Sequence, residues 1–441
     1  MRQECRPNAV HRRALTGASS REERMTHFAI VIPPVPGHLH PTGALGRELV
    51  ARGHRVSCFH MADLGDAVCR EGLEFVPIGA ADHPAGALPA SLARLARLDG
   101  TAALRFTIDA VAKTTSMFLR DLAPAIERAG IDALIVDQME PAGGAVAEHL
   151  GLPFVTVCNA LALNTDSAVP PPFTSWAYRE GALPRLRNSV GYAASRWVLR
   201  SVARQVGAWR ARHGLPPLAS PDDSFSRRAQ ICQMPRSFDF PRRALPPNFH
   251  YVGPLRRPQP SAVDFPWHLL DGRPIVYASL GTLQNRRFDV FRCFAEACQG
   301  LEVQLVLSHG GGLSADEVAR LPGNPLVVGY APQWELLARA RATITHAGLN
   351  TVLDSLAHGV PVVAIPITYE QPAIARRVVH AGCGEAIGFR ALSAARVRSA
   401  LRRVLGDTGP RDAARRIADD IAQAGGVVQA AVLVERAIAQ A

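Results

Sequence analysis

Residues 28–59 read FAIVIPPVPGHLHPTGALGRELVARGHRVSCF, and the order of pieces in this stretch decides the fold. Phe28–Pro34 is a short apolar run bounded by prolines, as expected of a buried parallel strand. A Pro/Gly/His turn spans Pro36 to Pro41, and Thr42–Arg52 then has the spacing of an amphipathic helix closed by Gly53. Arg55–Phe59 is the next strand. Strand, turn, helix, glycine and strand make a βαβ unit.

The unit recurs outward from there. Ala133–Val136 reads as a strand, Gly143–Leu150 as a helix and Phe154–Val157 as a strand. Between Pro170 and Arg228 the alternation weakens into prolines and arginine-bearing helical segments, where an α/β domain carries insertions. Residues 246–273 are proline-rich with little periodicity and are expected to link two domains. A second series starts at Pro274: strands at Ile275–Ser279, Val303–Ser308, Leu326–Val328, Ala342–Thr345 and Val360–Ile365, with helices at Phe288–Cys298, Asn350–Ala357 and Gln371–Ala381. The expectation is an α/β protein of two Rossmann-like domains facing a cleft, 25–245 and 274–408. Residues 409–441 form a helical segment with no strand left to feed, expected to pack across the surface.

A chain of 441 residues, 48% hydrophobic and 20% charged, suits two globular cores. Its eight cysteines form no CxxC pair or zinc-type cluster, so they are expected to be reduced thiols of a cytoplasmic protein. No apolar run approaches the roughly 20 residues that span a bilayer. Residues 1–24 are polar and lack the apolar core of a secretory signal; they read either as a disordered tail or as the product of an upstream start codon. The net charge of +11 is carried by arginine, Lys113 being the only lysine. The arginines are scattered in pairs without interleaved aromatics, so a solvated surface is expected rather than a nucleic-acid site. Attraction to the anionic inner face of a membrane is a further possibility for such a surface.

Ligands of open α/β sheets sit at the carboxyl ends of strands. His38 lies in the first such turn, where an imidazole can serve as general base or simply fill a turn. The turn lacks GxGxxG, which argues against a dinucleotide. Asp137 ends another strand; it could orient an imidazole or cap the following helix, and Glu140 stands close enough to compete. In the second half, Ser279-Leu280-Gly281-Thr282 and Thr345-His346-Ala347-Gly348-Leu349-Asn350-Thr351 both run from a strand through small residues into a helix. Free N–H groups and the helix dipole suit such turns to a diphosphate, and His346 can add a donor. Tyr369-Glu370-Gln371 places an acceptor beside a donor-acceptor amide, as hexose hydroxyls require, or is a plain polar loop.

Taken in order, Tyr330-Ala331-Pro332-Gln333, Thr345 to Thr351, Asp354, Gly359-Val360-Pro361, Pro366 and Glu370-Gln371 resemble the C-terminal signature of the family 1 UDP-glycosyltransferases. Pro36-Gly37-His38, Asp137 and Ser279–Thr282 also stand where that family has them. Within it, Val136–Gly143, Ala278–Gln284 and Asn350–Asp354 are most similar to bacterial members that glucosylate carotenoids such as zeaxanthin. The resemblance implies a glycosyltransferase-B fold and an inverting, metal-independent transfer of glucose from UDP-glucose to a hydroxyl of a hydrophobic acceptor. It implies His38 as base with Asp137 as partner. It implies Tyr330 on the uracil and Gln333 on the nucleoside. Ser279, Gly281, Thr282, His346, Gly348, Asn350 and Thr351 would lie at the diphosphate. Asp354 would bind the ribose where a glutamate is usual, and Glu370 and Gln371 the hexose, Glu370 replacing a usual aspartate. Leu349 stands where plant members have tryptophan. Leu88–Phe118 and Leu161–Trp176 are candidate acceptor walls or ordinary core. Rival readings are transfer to a polyketide-like alcohol, a UDP-sugar epimerase of the same fold, and a non-catalytic nucleotide-sugar binder.

Overall fold

The computed structural model describes residues 25–95, 98, 100–256, 263–281 and 285–439. The expected tail 1–24, part of the linker and Thr282 lie outside the described residues. The first half runs β1 (His27–Val31), α1 (Pro36–Ala51), β2 (Arg55–His60), α2 (Gly65–Arg70), β3 (Glu74–Pro77), α3 (Ala87–Leu95), α4 (Gly100–Ala129), β4 (Ala133–Asp137), α5 (Pro141–His149), β5 (Phe154–Cys158), α6 (Ala182–Val198), α7 (Arg200–Arg212), β6 (Gln230–Cys232) and β7 (Phe249–Tyr251). The second runs β8 (Ile275–Ser279), α8 (Phe288–Cys298), β9 (Gln304–Ser308), α9 (Ala315–Ala319), β10 (Leu326–Val328), α10 (Gln333–Leu337), β11 (Ala340–Thr345), α11 (Leu349–Ala357), β12 (Val362–Ala364), α12 (Gln371–His380), β13 (Gly384–Ala386) and α13 (Ala394–Gly406). Helices α14 (Thr408–Ala424) and α15 (Gly426–Ala439) end the chain.

The strands form two separate parallel sheets, ordered β3-β2-β1-β4-β5-β6-β7 and β10-β9-β8-β11-β12-β13. Each is doubly wound, with its order reversing between β1 and β4 in the first and between β8 and β11 in the second. Those reversals are where helices leave in opposite directions and a crevice opens above the carboxyl ends. Register places Val31 opposite Val136 in the first sheet and Ser279 opposite Thr345 in the second. The central strands β1, β4, β5 and β8 are buried along their whole length, which is why they read as largely apolar runs with one polar residue each.

Three boundaries differ from expectation. Helix α1 starts at Pro36, not Thr42, so His38 sits in its first turn. Proline is pre-set for that position, and only Pro41, inside the helix, breaks the pattern. The expected linker begins later than residue 246, because Phe249–Tyr251 is β7, paired with β6. Its three residues are half-buried and carry no alternation to betray them. The last helix does not lie on the surface: Val427, Ala430, Ala431, Val434 and Ala437 of α15 are buried in the core of the first domain, with Phe28, Leu45 and Val155. Their spacing of three, one, three and three residues is a helical apolar face. Arg52 and Glu435 close the outer edge of this contact at 2.6 Å.

The chain therefore crosses between domains twice, and the crossings touch. Gly426 N donates to Val252 O at 2.7 Å, and Gly253, Gly425 and Gly426 all have positive φ. The domains also share one apolar cluster that joins Leu161, Met234 and Phe238 to Leu349, Val352 and Ile374.

Candidate active site

Both sheet reversals open onto the same cleft. After β1, the first turn of α1 carries His38; at the end of the neighbouring β4 stands Asp137. His38 Nδ1–H donates to Asp137 Oδ2 at 2.7 Å. Asp137 is buried, and its other oxygen accepts Met139 N at 2.8 Å. Asn159, directly after β5, donates through Nδ2 to Asp137 Oδ2 and to Thr42 Oγ1, both at 2.7 Å. The carboxylate is thereby fixed by three donors, and the imidazole presents Nε2 as its remaining nitrogen. Burial pulls the His38 pKa down, but the charge and hydrogen bond of Asp137 and the charge of Glu370 outweigh it and leave it raised. Glu140 does not compete for His38: buried, and close to the Asp137 charge, it is held well above the usual carboxylate range.

Across the cleft, His346 follows β11 and its ring is wedged between two glycines. A Cβ on Gly348 would lie 2.5 Å from its Nε2, and one on Gly281 2.8 Å from its Cε1. Burial drives its pKa down to about 4 against a hydrogen bond to the Ser279 carbonyl, so the ring is neutral near pH 7. A neutral imidazole has a single N–H, to be given to Ser279 or to a phosphate oxygen. Ser279 is itself buried and its Oγ accepts Gly281 N at 3.2 Å. Ala347, between His346 and Gly348, has φ of 65°, and Tyr369 has 54°. Non-glycine residues in this region cost about 1–3 kcal/mol each and cluster at ligand sites.

Asn350 and Thr351 stand in the first turn of α11, with Gly348 as its cap. Asn350 reaches the other domain: its Nδ2 donates to Gly37 O at 3.1 Å, and its Oδ1 accepts from Gln233 Nε2 at 3.0 Å. Gly37 O is the carbonyl that an N–H at position 41 would have satisfied, and Pro41 has none. Gln233 also donates to Asn159 O at 2.5 Å, so one polar chain links the Asp137 shell to the N-terminus of α11. Asp354, fully buried on α11, is raised in pKa by burial against the opposing pull of Arg256 and Gln333. Arg256 Nε lies 2.5 Å from Asp354 Oδ1, and Gln333 Nε2 donates to Oδ2 at 2.5 Å. A cavity of about 440 Å³ is bordered by Asn350, Asp354 and Arg256 and, on the first domain, by His40, Arg70 and Gln233. Tyr330 does not border this cavity; it is exposed, its hydroxyl donating to Gly310 O at 3.2 Å.

After β12, Glu370 Oε2 accepts Leu161 N across the cleft at 2.9 Å. Burial raises its pKa, partly opposed by that N–H and by His38. Gln371 Oε1 accepts Ile367 N and Thr368 N at 2.8 and 2.9 Å, which folds its own loop. Three residues of this network, Asn159, Gln233 and Arg256, were not among the expected ones. Asn159 and Gln233 each follow directly on a strand, β5 and β6, so the carboxyl-end rule would have found both. Arg256 lies in a proline-rich stretch with no local signal.

Residues 101–418 match the profile of the UDP-glucoronosyl and UDP-glucosyl transferase family. The chain is 36% identical over 416 residues to the zeaxanthin glucosyltransferase of Pantoea ananas, covering 93% of this chain and 96% of that protein. It is 35% identical over 422 residues to the zeaxanthin glucosyltransferase of Pseudescherichia vulneris, covering 94% and 98%. Among solved structures, the glycotransferase of kitacinnamycin superposes with a TM-score of 0.73 at 25% identity, covering 94% of this chain and 99% of that one. Two doubly wound domains about a cleft, the full-length match and the family profile agree: the chain belongs to the UDP-glucoronosyl and UDP-glucosyl transferase family and is a glycosyltransferase of the glycosyltransferase-B fold.

Proposed function

We propose that the protein transfers glucose from UDP-glucose to a hydroxyl of a hydrophobic acceptor, zeaxanthin in the first place, with inversion at the anomeric carbon. The observation that carries the chemistry is the His38–Asp137 pair at the first reversal, electrostatically coupled to Glu370 on the opposite wall. His38 Nε2 takes the acceptor proton as its oxygen bonds to the anomeric carbon, and the bond from that carbon to the UDP oxygen breaks. An alcohol is a poor nucleophile until a base removes its proton. Asp137 stabilises the imidazolium that forms. Charge on the departing diphosphate is met by the N–H groups at the start of α11 and by His346, so no metal is required. Glu370 and Gln371 hold the hexose, Tyr330 and Gln333 the nucleoside, and Asp354 the ribose after exchanging Arg256.

The acceptor reading rests on the names of the two relatives and on an apolar wall. No residue of α3 is buried, nor any of α4 before Thr114, although Leu88, Leu92, Leu104, Phe106 and Ile108 lie there. Most of that half lies outside the core, although Leu88 packs against it and Met117 and Phe118 at its end are buried in it. The other half divides, since Leu161, Ala162 and Val169 are buried. Tyr369 shares a hydrogen bond with Thr107 of α4, which brings the apolar wall beside the hexose loop. The test is a matrix of UDP-sugars against zeaxanthin, polyketides and phenols, with the anomeric configuration of each product read by NMR. Retained configuration would sink the mechanism; indifference to zeaxanthin with turnover of a polyketide would sink the acceptor.

A further inference from the structure

Helix α6 wears its apolar residues on the wrong side. Its inward face is Asn188, Gly191 and Tyr192, all buried, with Gly191 packed against Trp176 and Pro171. Its outward face carries Leu183 (79% exposed), Leu186 (63%), Val190 (61%) and Trp197 (65%). At about 100° per residue these four fall within one narrow stripe. A helix on the surface of a globular domain normally shows the opposite arrangement, and a contiguous exposed apolar stripe marks an interaction face.

Charge identifies what the face meets. From Gly181 through Pro221 the sequence holds no aspartate or glutamate, while seven arginines occur in α6 and α7. Of these, only Arg210 has a carboxylate partner among the described residues, Glu148 at 2.7 Å. Arg200 instead lies 3.9 Å from the Trp197 ring centroid and donates to Trp197 O, and Arg204 and Arg212 donate to backbone carbonyls of their own helix. Arg185 and Arg196 are exposed on the same helix, about 80–100° round from the edge of the stripe. A second copy of this face would set one acid-free row of arginines against another. A nucleic acid would leave two leucines, a valine and a tryptophan without apolar contact.

We propose that α6 is a membrane-docking helix that seats on an anionic bilayer surface. Leucine, valine and tryptophan side chains enter the headgroup–acyl boundary, the zone that interfacial helices and tryptophan occupy. The exposed arginines of α6 meet lipid phosphates at the anionic surface. The face adjoins the cleft: the loop that packs on Gly191 is held from the second domain by Arg376, whose Nε donates to Ser175 O at 2.7 Å. Docking at α6 therefore sets one rim of the cleft against the lipid. The proposal stands on this surface alone and does not depend on which acceptor the enzyme takes.

The test is co-sedimentation of the full chain with vesicles of phosphatidylglycerol and phosphatidylcholine, against phosphatidylcholine alone. Binding is expected to the anionic vesicles at low salt, and to weaken as salt rises. Leu186→Glu/Trp197→Glu should bind at least about tenfold more weakly while melting, and turning over a water-soluble acceptor, as the wild type does. Quenching of wild-type tryptophan emission by brominated lipid, lost in Trp197→Phe, reads the same insertion without disturbing charge. Failure of the wild type to bind anionic vesicles, or equal binding by the double variant, overturns the proposal. So does a dimer in analytical ultracentrifugation that Leu186→Glu/Trp197→Glu dissociates, since the face would then belong to a second copy.

Discussion

Arg377 of α12 and Asp239, in the segment between β6 and β7, form a 2.8 Å ion pair in which both side chains are almost wholly buried at the domain boundary. Asp239 also pairs with Arg242 at 2.7 Å and accepts the Tyr251 hydroxyl at 2.8 Å. Burial works to raise its pKa, yet the two guanidiniums hold it far below the usual carboxylate range. Removing one partner leaves charge buried without compensation, at a cost of about 3–5 kcal/mol. Asp239→Ala should lower the unfolding free energy by that much, read from urea denaturation. Replacing the charges together, as Asp239→Leu/Arg242→Met/Arg377→Met, should cost far less than the sum of the single changes. Near-additive losses in such a cycle would contradict the coupling.

The His38–Asp137 pair gives a kinetic expectation. His38→Ala should lower kcat by about 10²–10⁴-fold, the usual contribution of a positioned base. UDP binding, read by calorimetry, should be nearly unchanged. Undiminished UDP release from UDP-glucose and acceptor would remove His38 from the mechanism.

The pH profile carries a sign. The base must be unprotonated, and its pKa is raised above the ordinary 6.5. Activity is therefore full at pH values above that raised pKa and is lost as pH falls through it. Asp137→Asn removes the charge that raises it, so the acid limb of kcat/KM should move to lower pH while the plateau drops. Glu370→Gln should move the limb the same way by less. A limb that stays in place in Asp137→Asn would show that another group titrates there.

A side chain at Gly348 is expected to displace the His346 ring. Its Cβ would lie 2.5 Å from His346 Nε2, so the ring must move from its place between Gly281 and Gly348. Gly348→Ala should weaken UDP binding by about tenfold, or ~1.4 kcal/mol, with little effect on thermal stability. Tight UDP binding by this variant would place the diphosphate elsewhere.

Asn350 and Pro41 are predicted to couple although they do not touch. Asn350→Ala leaves Gly37 O without its donor, at a cost of about 1 kcal/mol. Pro41→Ala restores an N–H that can reach that carbonyl along the helix. The double variant should thus lose less stability than Asn350→Ala does in the wild-type background, by a denaturation cycle.

Much of this fold was legible because parallel strands buried on both faces are mostly apolar, and β1, β4, β5 and β8 each carry only one polar residue. β7 was not, since three half-buried residues between prolines carry no pattern. The start of α1 was misplaced because two prolines argue against a helix unless a partner serves the carbonyl that Pro41 leaves open, and that partner, Asn350, is 313 residues away from Gly37. The site divides in the same manner. Asp137 ends a strand, His346 directly follows one, and His38 and Glu370 lie in the segments leading from β1 and β12 into the next helix, where topology alone gives a residue meaning. Arg256 gains its role only when α11 is brought beside the domain crossing. The apolar face of α6 was hidden for another reason: helical spacing tells which residues share a face, not which face looks outward.

The paired crossings at Val252–Gly253 and Gly425–Gly426 have one more consequence. Because β1 to β7 and α15 belong to one domain, the domain of β8 to β13 is held like a door on two pins mounted side by side. A body so mounted has one axis to turn about and little freedom to slide or twist. Any turn about that axis would bring Glu370 back to the same place opposite His38, so the register of the two walls is inherited from the mounting.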